Sequence, residues 1–364
     1  MVADASTNDS WVEEYWPAVL QNHYSKVDYL PTWTVWLKLI FVPIIVITGI
    51  ICNSLSFAVM VSQSLRKQTF SRYLAAIAIS DTGVLLIRTL AWANFVSERF
   101  YGYLLVTIEG KASCVASHLL CFTIETMSAW LTATVTIERV IVVCFPFLSR
   151  QICSTKLFYV ITPCLVMGIV LLHGYFPLTL TYLPARRLCV HQRSLAHVAE
   201  LCYGLINEYI PACIIITCNA TILYKLNRKT NIPELDHSKS ANGNKITQRK
   251  RQITLMLCLL TMAFLIFTLP PWIMSAILDY GVQIDPNIQL PLHEFFEIMY
   301  HFNYACNFFF YVISGEQVRP VVKRLCCGGQ PESRPGCDSS SLGDARWQKN
   351  TASNRINTTN LTRY

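Results

Sequence analysis

Asp81, Arg88, Glu125, Glu138, Arg139, Glu208, Glu297 and His301 all fall inside long apolar runs of the chain. A charge that must leave water is expensive, so each of these side chains is a candidate for binding or switching. Asp81 and Arg88 are seven residues apart, two helical turns or ~10 Å along one face. Glu297 and His301 are one turn apart, and Glu138 directly precedes Arg139. Arg88 has two candidate partners, Glu125 and Glu297. Either pairing leaves carboxylates for a cationic ligand group; a salt-bridge network satisfied internally is the alternative. For Arg139 the plain alternative is a guanidinium that snorkels to the headgroups. The chemistry on offer is binding and not bond cleavage. No GxSxG or HExxH pattern and no metal-spaced cysteine pair occurs, which leaves a metal centre or a catalytic nucleophile without support.

The elements that must hold these residues follow from composition. The chain has 364 residues, 53% hydrophobic and only 14% charged, against roughly 25% charged in soluble domains. That excludes an ordinary soluble fold and excludes disorder for most of the chain. Seven apolar stretches, at about 37–62, 73–96, 112–144, 157–177, 198–226, 251–278 and 291–314, approach or exceed the ~20 residues that span a bilayer as helix. Breakers separate them: Arg66-Lys67-Gln68, Pro184, Pro233, Gly281 and Pro286. The runs are too long, and lack the period-two alternation, for a membrane β-barrel. Residues 1–36 are acidic and show no signal-peptide core.

Charge sets the expected orientation. The segments 63–72, 145–156, 225–251 and 315 onward are net basic, whereas 1–36 and 279–294 are net acidic. The positive-inside rule then predicts an extracellular N-terminus and a cytoplasmic tail in a multi-pass protein of the plasma membrane. The sequon at Asn8 falls on the side where glycosylation occurs. Of 15 cysteines, most lie within the spans. Cys114 and Cys189 fall on the oxidising side and are expected to form a disulfide, with two free thiols as the alternative. The basic run 315–327 reads as a short amphipathic helix on the membrane, ending in Cys326-Cys327, a setting for S-palmitoylation. Residues 328–364 read as a disordered tail, with Ser339-Ser340-Ser341 as candidate phosphorylation sites. The expected organisation is therefore an N-terminus over 1–36, a transmembrane domain over 37–314, the amphipathic helix 315–327 and the tail.

Short motifs narrow the class. The third run ends in Ile137-Glu138-Arg139-Val140 and is followed by Cys144-Phe145-Pro146; Cys114 precedes Arg139 by 25 residues. Gly49 and Asn53 mark the first run, and Leu74-Ala75-Ala76-Ile77-Ala78-Ile79-Ser80-Asp81 the second. Pro211 is in the fifth, Phe264 and Pro270 in the sixth, and Asn307-Phe308-Phe309-Phe310-Tyr311 in the seventh. In order and spacing this set resembles the rhodopsin-like (class A) G-protein-coupled receptors over roughly 37–327. The chain departs from that pattern at Val140, Thr268, Asn219 and Phe308, where the family usually has tyrosine, tryptophan, tyrosine and proline, and it has no tryptophan in its fourth run.

The resemblance implies an all-α membrane fold of seven helices with an eighth amphipathic helix, and no enzymatic activity. It implies a sodium or water network of Asn53, Asp81, Ser128, Asn303 and Asn307, with sodium the sole cofactor candidate. A protonated Asp81 that merely ties helices together is the alternative. The implied switch comprises Glu138, Arg139, Phe264, Pro270, Asn307 and Tyr311. The implied ligand pocket comprises Arg88, Cys121, Glu125, Glu208, Thr268, Trp272, Glu297 and His301. Heterotrimeric G protein, arrestin and the lipid bilayer are the implied partners, and nucleic acid is not among them. Cys121 stands where the family's amine receptors carry aspartate, and His301 where opsins carry the retinal lysine. Both point away from those ligands and toward an extracellular neuropeptide, with the receptors of invertebrates for short amidated peptides the nearest in overall spacing. A chemosensory receptor for a small organic molecule is the alternative within the class. A transporter is the alternative outside it, and the chain shows no internal repeat of the kind transporters use.

Overall fold

The structure is a computed structural model that describes residues 32–184, 188–230, 241–279, 286–314 and 318–327. The expectations for Asn8 and for the tail from 328 lie outside the described residues. Seven long helices follow one another: α1 (Thr32–Met60), α2 (Thr69–Tyr101), α3 (Gly110–Cys144), α4 (Thr155–Leu172), α5, α6 (Ala241–Asp279) and α7 (Pro286–Ser314). Helix α5 is built from Arg193–Gly204, a π-helical turn Leu205–Tyr209, and Ile210–Thr230. A final helix, α8 (Val318–Cys327), carries the Cys326-Cys327 pair at its end.

Six of the seven are long and apolar enough to cross a membrane on composition alone. Helix α7 falls short by that measure while keeping the expected spanning length. Glu297, His301, Asn303 and Asn307 lower its mean hydropathy, and all four turn away from full exposure. Their company is other helices and not lipid. Elsewhere the outer surface is apolar: Ile40, Ile44, Ile47, Leu86, Met167 and Leu171 are all exposed. In water such a belt would be a liability, and in hydrocarbon it is the expected face.

Helix α1 packs on α2 and α7, α3 on α2 and α5, and α6 on α7, while α4 lies at the edge with Ile169 as its buried residue. Gly49 is what lets α1 close on its neighbours. A Cβ there would stand 2.5 Å from Leu85 Cδ1 and 2.8 Å from Ala305 Cβ. At the end of the bundle that bears α8, Leu74, Leu131, Val135, Leu257 and Tyr311 form one core, joined by Val318 and Val321 of α8. Arg319 fixes α8 to the end of α7, donating from Nε to the Val312 carbonyl at 2.9 Å and from Nη2 to that of Ile313. A cation there also meets the negative end of the α7 dipole.

Two departures at the other end matter for the site. The fourth helix, expected to run to residue 177, ends at Leu172. A turn at His173–Tyr175 leads through a short helix (Phe176–Thr179) into a hairpin of β1 (Leu180–Leu183) and β2 (Leu188–His191). The fifth helix opens at its π turn instead of running straight. There the indole of Trp130 on α3 donates to the Ile206 carbonyl at 2.9 Å, supplying a partner where a π turn disturbs the ordinary ladder. Cys114, at the top of α3, is bonded to Cys189 on β2 with 5.6 Å between their Cα atoms. The expected disulfide is therefore present, and it ties the hairpin to α3.

Candidate functional site

A cavity of about 250 Å³ lies between α2, α6 and α7, lined by Arg88, Trp272, His293, Phe296, Glu297 and Tyr300. Three of the residues expected in a pocket, Arg88, Trp272 and Glu297, are thus on its wall. Glu125, Glu208, Thr268 and His301 are buried and do not line it. Cys121 is half-buried on α3, away from the lining.

Behind the wall is a polar cluster that joins four helices. Arg88 Nη2 is 2.5 Å from Glu125 Oε1, which decides between the two pairings left open for Arg88. The second oxygen of Glu125 accepts from the Tyr203 hydroxyl at 2.8 Å. Asn207, in the π turn, donates to that same hydroxyl at 3.0 Å and to Glu208 Oε1 at 3.1 Å. Tyr300 of α7 reaches Glu208 Oε1 at 3.4 Å and accepts from Tyr304 at 2.8 Å. The π turn is what aims Asn207 and Glu208 inward together, because the extra residue rotates the helix face.

Glu297 has a partner that its spacing did not announce. Lys38 of α1 places Nζ 3.0 Å from Glu297 Oε2 and 3.1 Å from Glu294 Oε2, with the ring of Phe95 5.1 Å away. The available signal was the lone basic residue inside the first apolar run. Tyr203, Tyr300 and Tyr304 were also missed. Nothing but tertiary contact distinguishes them from ordinary aromatic core.

Deeper in the bundle, Asp81 is fully buried. It accepts from Ser128 at 2.5 Å and from Asn307 at 2.6 Å. Those two members of the expected network are in place. Asn53 donates instead to the Tyr304 carbonyl at 2.9 Å, leaving its own Oδ1 without a hydrogen bond. Asn303 is buried nearby in sequence on α7 without joining Asp81. Further in, Arg139 Nη2 is 3.4 Å from Glu138 Oε1, and its guanidinium lies over the ring of Phe70 at 4.9 Å. Both charged residues are buried, which rules out free snorkelling of Arg139 in this arrangement. Phe264 and Tyr311 are buried in the packing between helices. Helix α6 continues through Pro270 and Pro271, residues that remove two donors from its ladder.

Over the cavity's neighbour α3, the hairpin sets His191 beside His118, their ring centroids 6.4 Å apart, with Phe176 against both. Burial first, and His118 second, push the His191 ring down to about 4. Among the described residues, Cys114, His118 and Cys189 also cluster closely enough to suggest a metal, but their two sulfurs are consumed by the disulfide.

Comparison with known proteins places this arrangement. Residues 27–314 match the family described as 7 transmembrane receptor (rhodopsin family). The chain is also similar to a Drosophila melanogaster protein named FMRFamide receptor, with 23% identity over 324 residues, covering 82% of this chain and 56% of that relative. The chain thus spans little more than half the length of the curated relative it matches.

Proposed function

The chain belongs to the rhodopsin family of seven-transmembrane receptors, and from that premise we propose that it binds a short amidated neuropeptide outside the cell and activates a heterotrimeric G protein within. The observation that carries the reading is the polar column beneath the cavity. Arg88 and Tyr300 line the cavity and contact Glu125 and Glu208. Below them Tyr304 ties α7 to α1 through Asn53, and Asp81 joins α2, α3 and α7. The column ends near Arg139, held by its own neighbour Glu138. Buried polar contacts of this kind have discrete arrangements, and a ligand that favours one of them shifts the population. The name of the Drosophila relative supports an amidated peptide as that ligand.

In this reading the N-terminus and hairpin face outward, in keeping with the basic segments on the opposite side. Peptide binding rearranges α6 against α7 at the cavity and frees Arg139 from Glu138. The inner end of α6 swings away, and the guanidinium then meets backbone carbonyls of the G protein. Arrestin would read the phosphorylated tail. No bond is made or broken in the ligand.

The site around Asp81 fits a sodium ion. It offers a buried carboxylate and the Ser128 hydroxyl, hard oxygen donors suited to a hard cation. Bound there, sodium would supply the positive charge that the Asp81 surroundings lack and favour the resting packing.

The test is a cell assay in which the chain is challenged with FMRFamide and a panel of other amidated peptides, with calcium, cyclic AMP and nucleotide exchange as readouts. A saturable response that depends on the chain is expected. Silence to the whole panel, together with a persistent ion flux in liposomes, would overturn the receptor reading.

A further inference from the structure

We infer that Glu208, together with Asn207, is the seat of a guanidinium group of the ligand, at the end of the cavity behind Tyr300 and Trp272. The inference rests on the peptide-receptor reading above and names the chemistry that its ligand must carry.

Around the cavity stand the carboxylates Glu125, Glu208, Glu294 and Glu297, and two cations beside them are already committed. Arg88 is taken by Glu125, and Lys38 is shared by Glu294 and Glu297. Glu208 is left with no cation among the described residues, although it is 1% exposed. Its Oε1 accepts from Asn207 and Tyr300. The Thr268 hydroxyl and the Trp272 indole lie within weak hydrogen-bonding reach of the carboxylate, but neither completes the geometry on Oε2. Asn207 Oδ1, one residue away, is likewise buried without a partner.

What this corner lacks is therefore specific. The amide of Asn207 and the Tyr203 hydroxyl are already spent on partners. Two acceptors remain, Glu208 Oε2 and Asn207 Oδ1, neither in full hydrogen-bond geometry with a donor. A buried acceptor left unmade costs more than a made bond returns, and a lone buried charge costs more still. A guanidinium answers both needs, since it brings one positive charge and five N–H donors in a planar fork. An ammonium brings the charge without the fork.

Access runs through two side chains. Tyr300 and Trp272 line the cavity on one side and touch the Glu208 corner on the other. A ligand reaching the corner would have to displace these two rings. The Tyr300 ring also lies under Arg88 at 6.0 Å, so a cation entering here is felt by the Arg88–Glu125 pair. Glu297, the carboxylate that does line the cavity, is the weaker seat, because Lys38 already neutralises it.

The experiment uses the full chain, purified in detergent, and two small probes of similar shape, argininamide with its charged guanidinium and citrullinamide with a neutral urea in its place. Argininamide should raise the apparent melting temperature saturably and citrullinamide should not. That difference should vanish in Glu208→Gln and persist in Glu297→Gln. In cells, replacing the arginine of FMRFamide by citrulline should weaken the wild type about thirtyfold or more, with lysine in between, and should make little difference in Glu208→Gln. Gln is isosteric and removes an unpaired buried charge, so folding is expected to survive; Glu208→Asp, which keeps the charge, should retain arginine preference and serves as the second variant. No argininamide effect on the wild type, or an undiminished preference in Glu208→Gln, overturns the seat. If argininamide discriminates as described while every peptide is silent, the seat stands and the peptide reading fails.

Discussion

Lys38 Nζ of α1 stands 3.0 Å from Glu297 Oε2 and 3.1 Å from Glu294 Oε2 of α7. One ammonium thus clamps two carboxylates and joins α1 to α7. Removing it leaves two carboxylates facing each other in a site largely out of water. Lys38→Met should lower stability by about 2 kcal/mol, the low side for breaking a buried pair, since the side chains keep some solvent contact. Melting of the detergent-solubilised protein measures this. The triple variant Lys38→Met, Glu294→Gln, Glu297→Gln should recover most of the loss. A single variant that melts with the wild type would remove the clamp from the account.

The Glu138–Arg139 pair makes opposite predictions for its two members. Arg139→Ala should leave peptide binding intact and abolish nucleotide exchange, because the group that would meet the G protein is gone. Glu138→Gln should raise exchange without ligand severalfold, since it releases Arg139 while leaving the Phe70 contact in place. Membranes assayed for ligand-free and ligand-driven exchange separate the two. Full exchange from Arg139→Ala would sink the switch assignment.

Much of this was legible before the structure, and the limit of legibility has a physical cause. Long apolar runs announce spans because hydrocarbon requires them, and Asp81, Arg88 and Glu125 stood out because charge there is rare. Cys114 and Cys189 were paired by compartment. Period and composition do not encode which face meets which, however. Arg88 had two partners on paper and one in the bundle. Lys38, two residues into its run, carries no mark in the sequence of the two glutamates that α7 brings to it. The π turn at Leu205–Tyr209 leaves no composition signal, yet it alone turns Asn207 and Glu208 inward together. The low hydropathy of α7 does not hide its span, because its polar residues are turned toward other helices.

Asp81 provides a third test. Its two oxygens are occupied by Ser128 and Asn307, and sodium would add the missing charge. Replacing sodium by choline in the buffer should therefore raise agonist affinity in the wild type. Asp81→Asn keeps the hydrogen-bonding shape, removes the charge, and should make affinity independent of sodium. Radioligand competition in the two buffers measures it. A sodium effect that survives Asp81→Asn would place the ion elsewhere.

His191 gives the hairpin a pH dependence whose sign can be worked out. In the folded protein, burial and the adjacent His118 hold its ring near 4, whereas an unfolded histidine titrates near ~6.5. Between those values the unfolded chain binds a proton that the native chain refuses. By linkage, stability falls as pH drops from about 6.5 and stops falling near 4, while above about pH 7 this ring contributes no slope. The ring sits on β2 two residues from Cys189, so the disulfide keeps the hairpin attached and the loss should show as loosened packing over α3 and not as release. His191→Phe keeps the ring contacts with Phe176 and removes the titration. Melting temperatures measured near pH 7.5 and near pH 5 should differ less in this variant than in the wild type. An identical pH slope in the two proteins would show that the acid sensitivity resides in other groups.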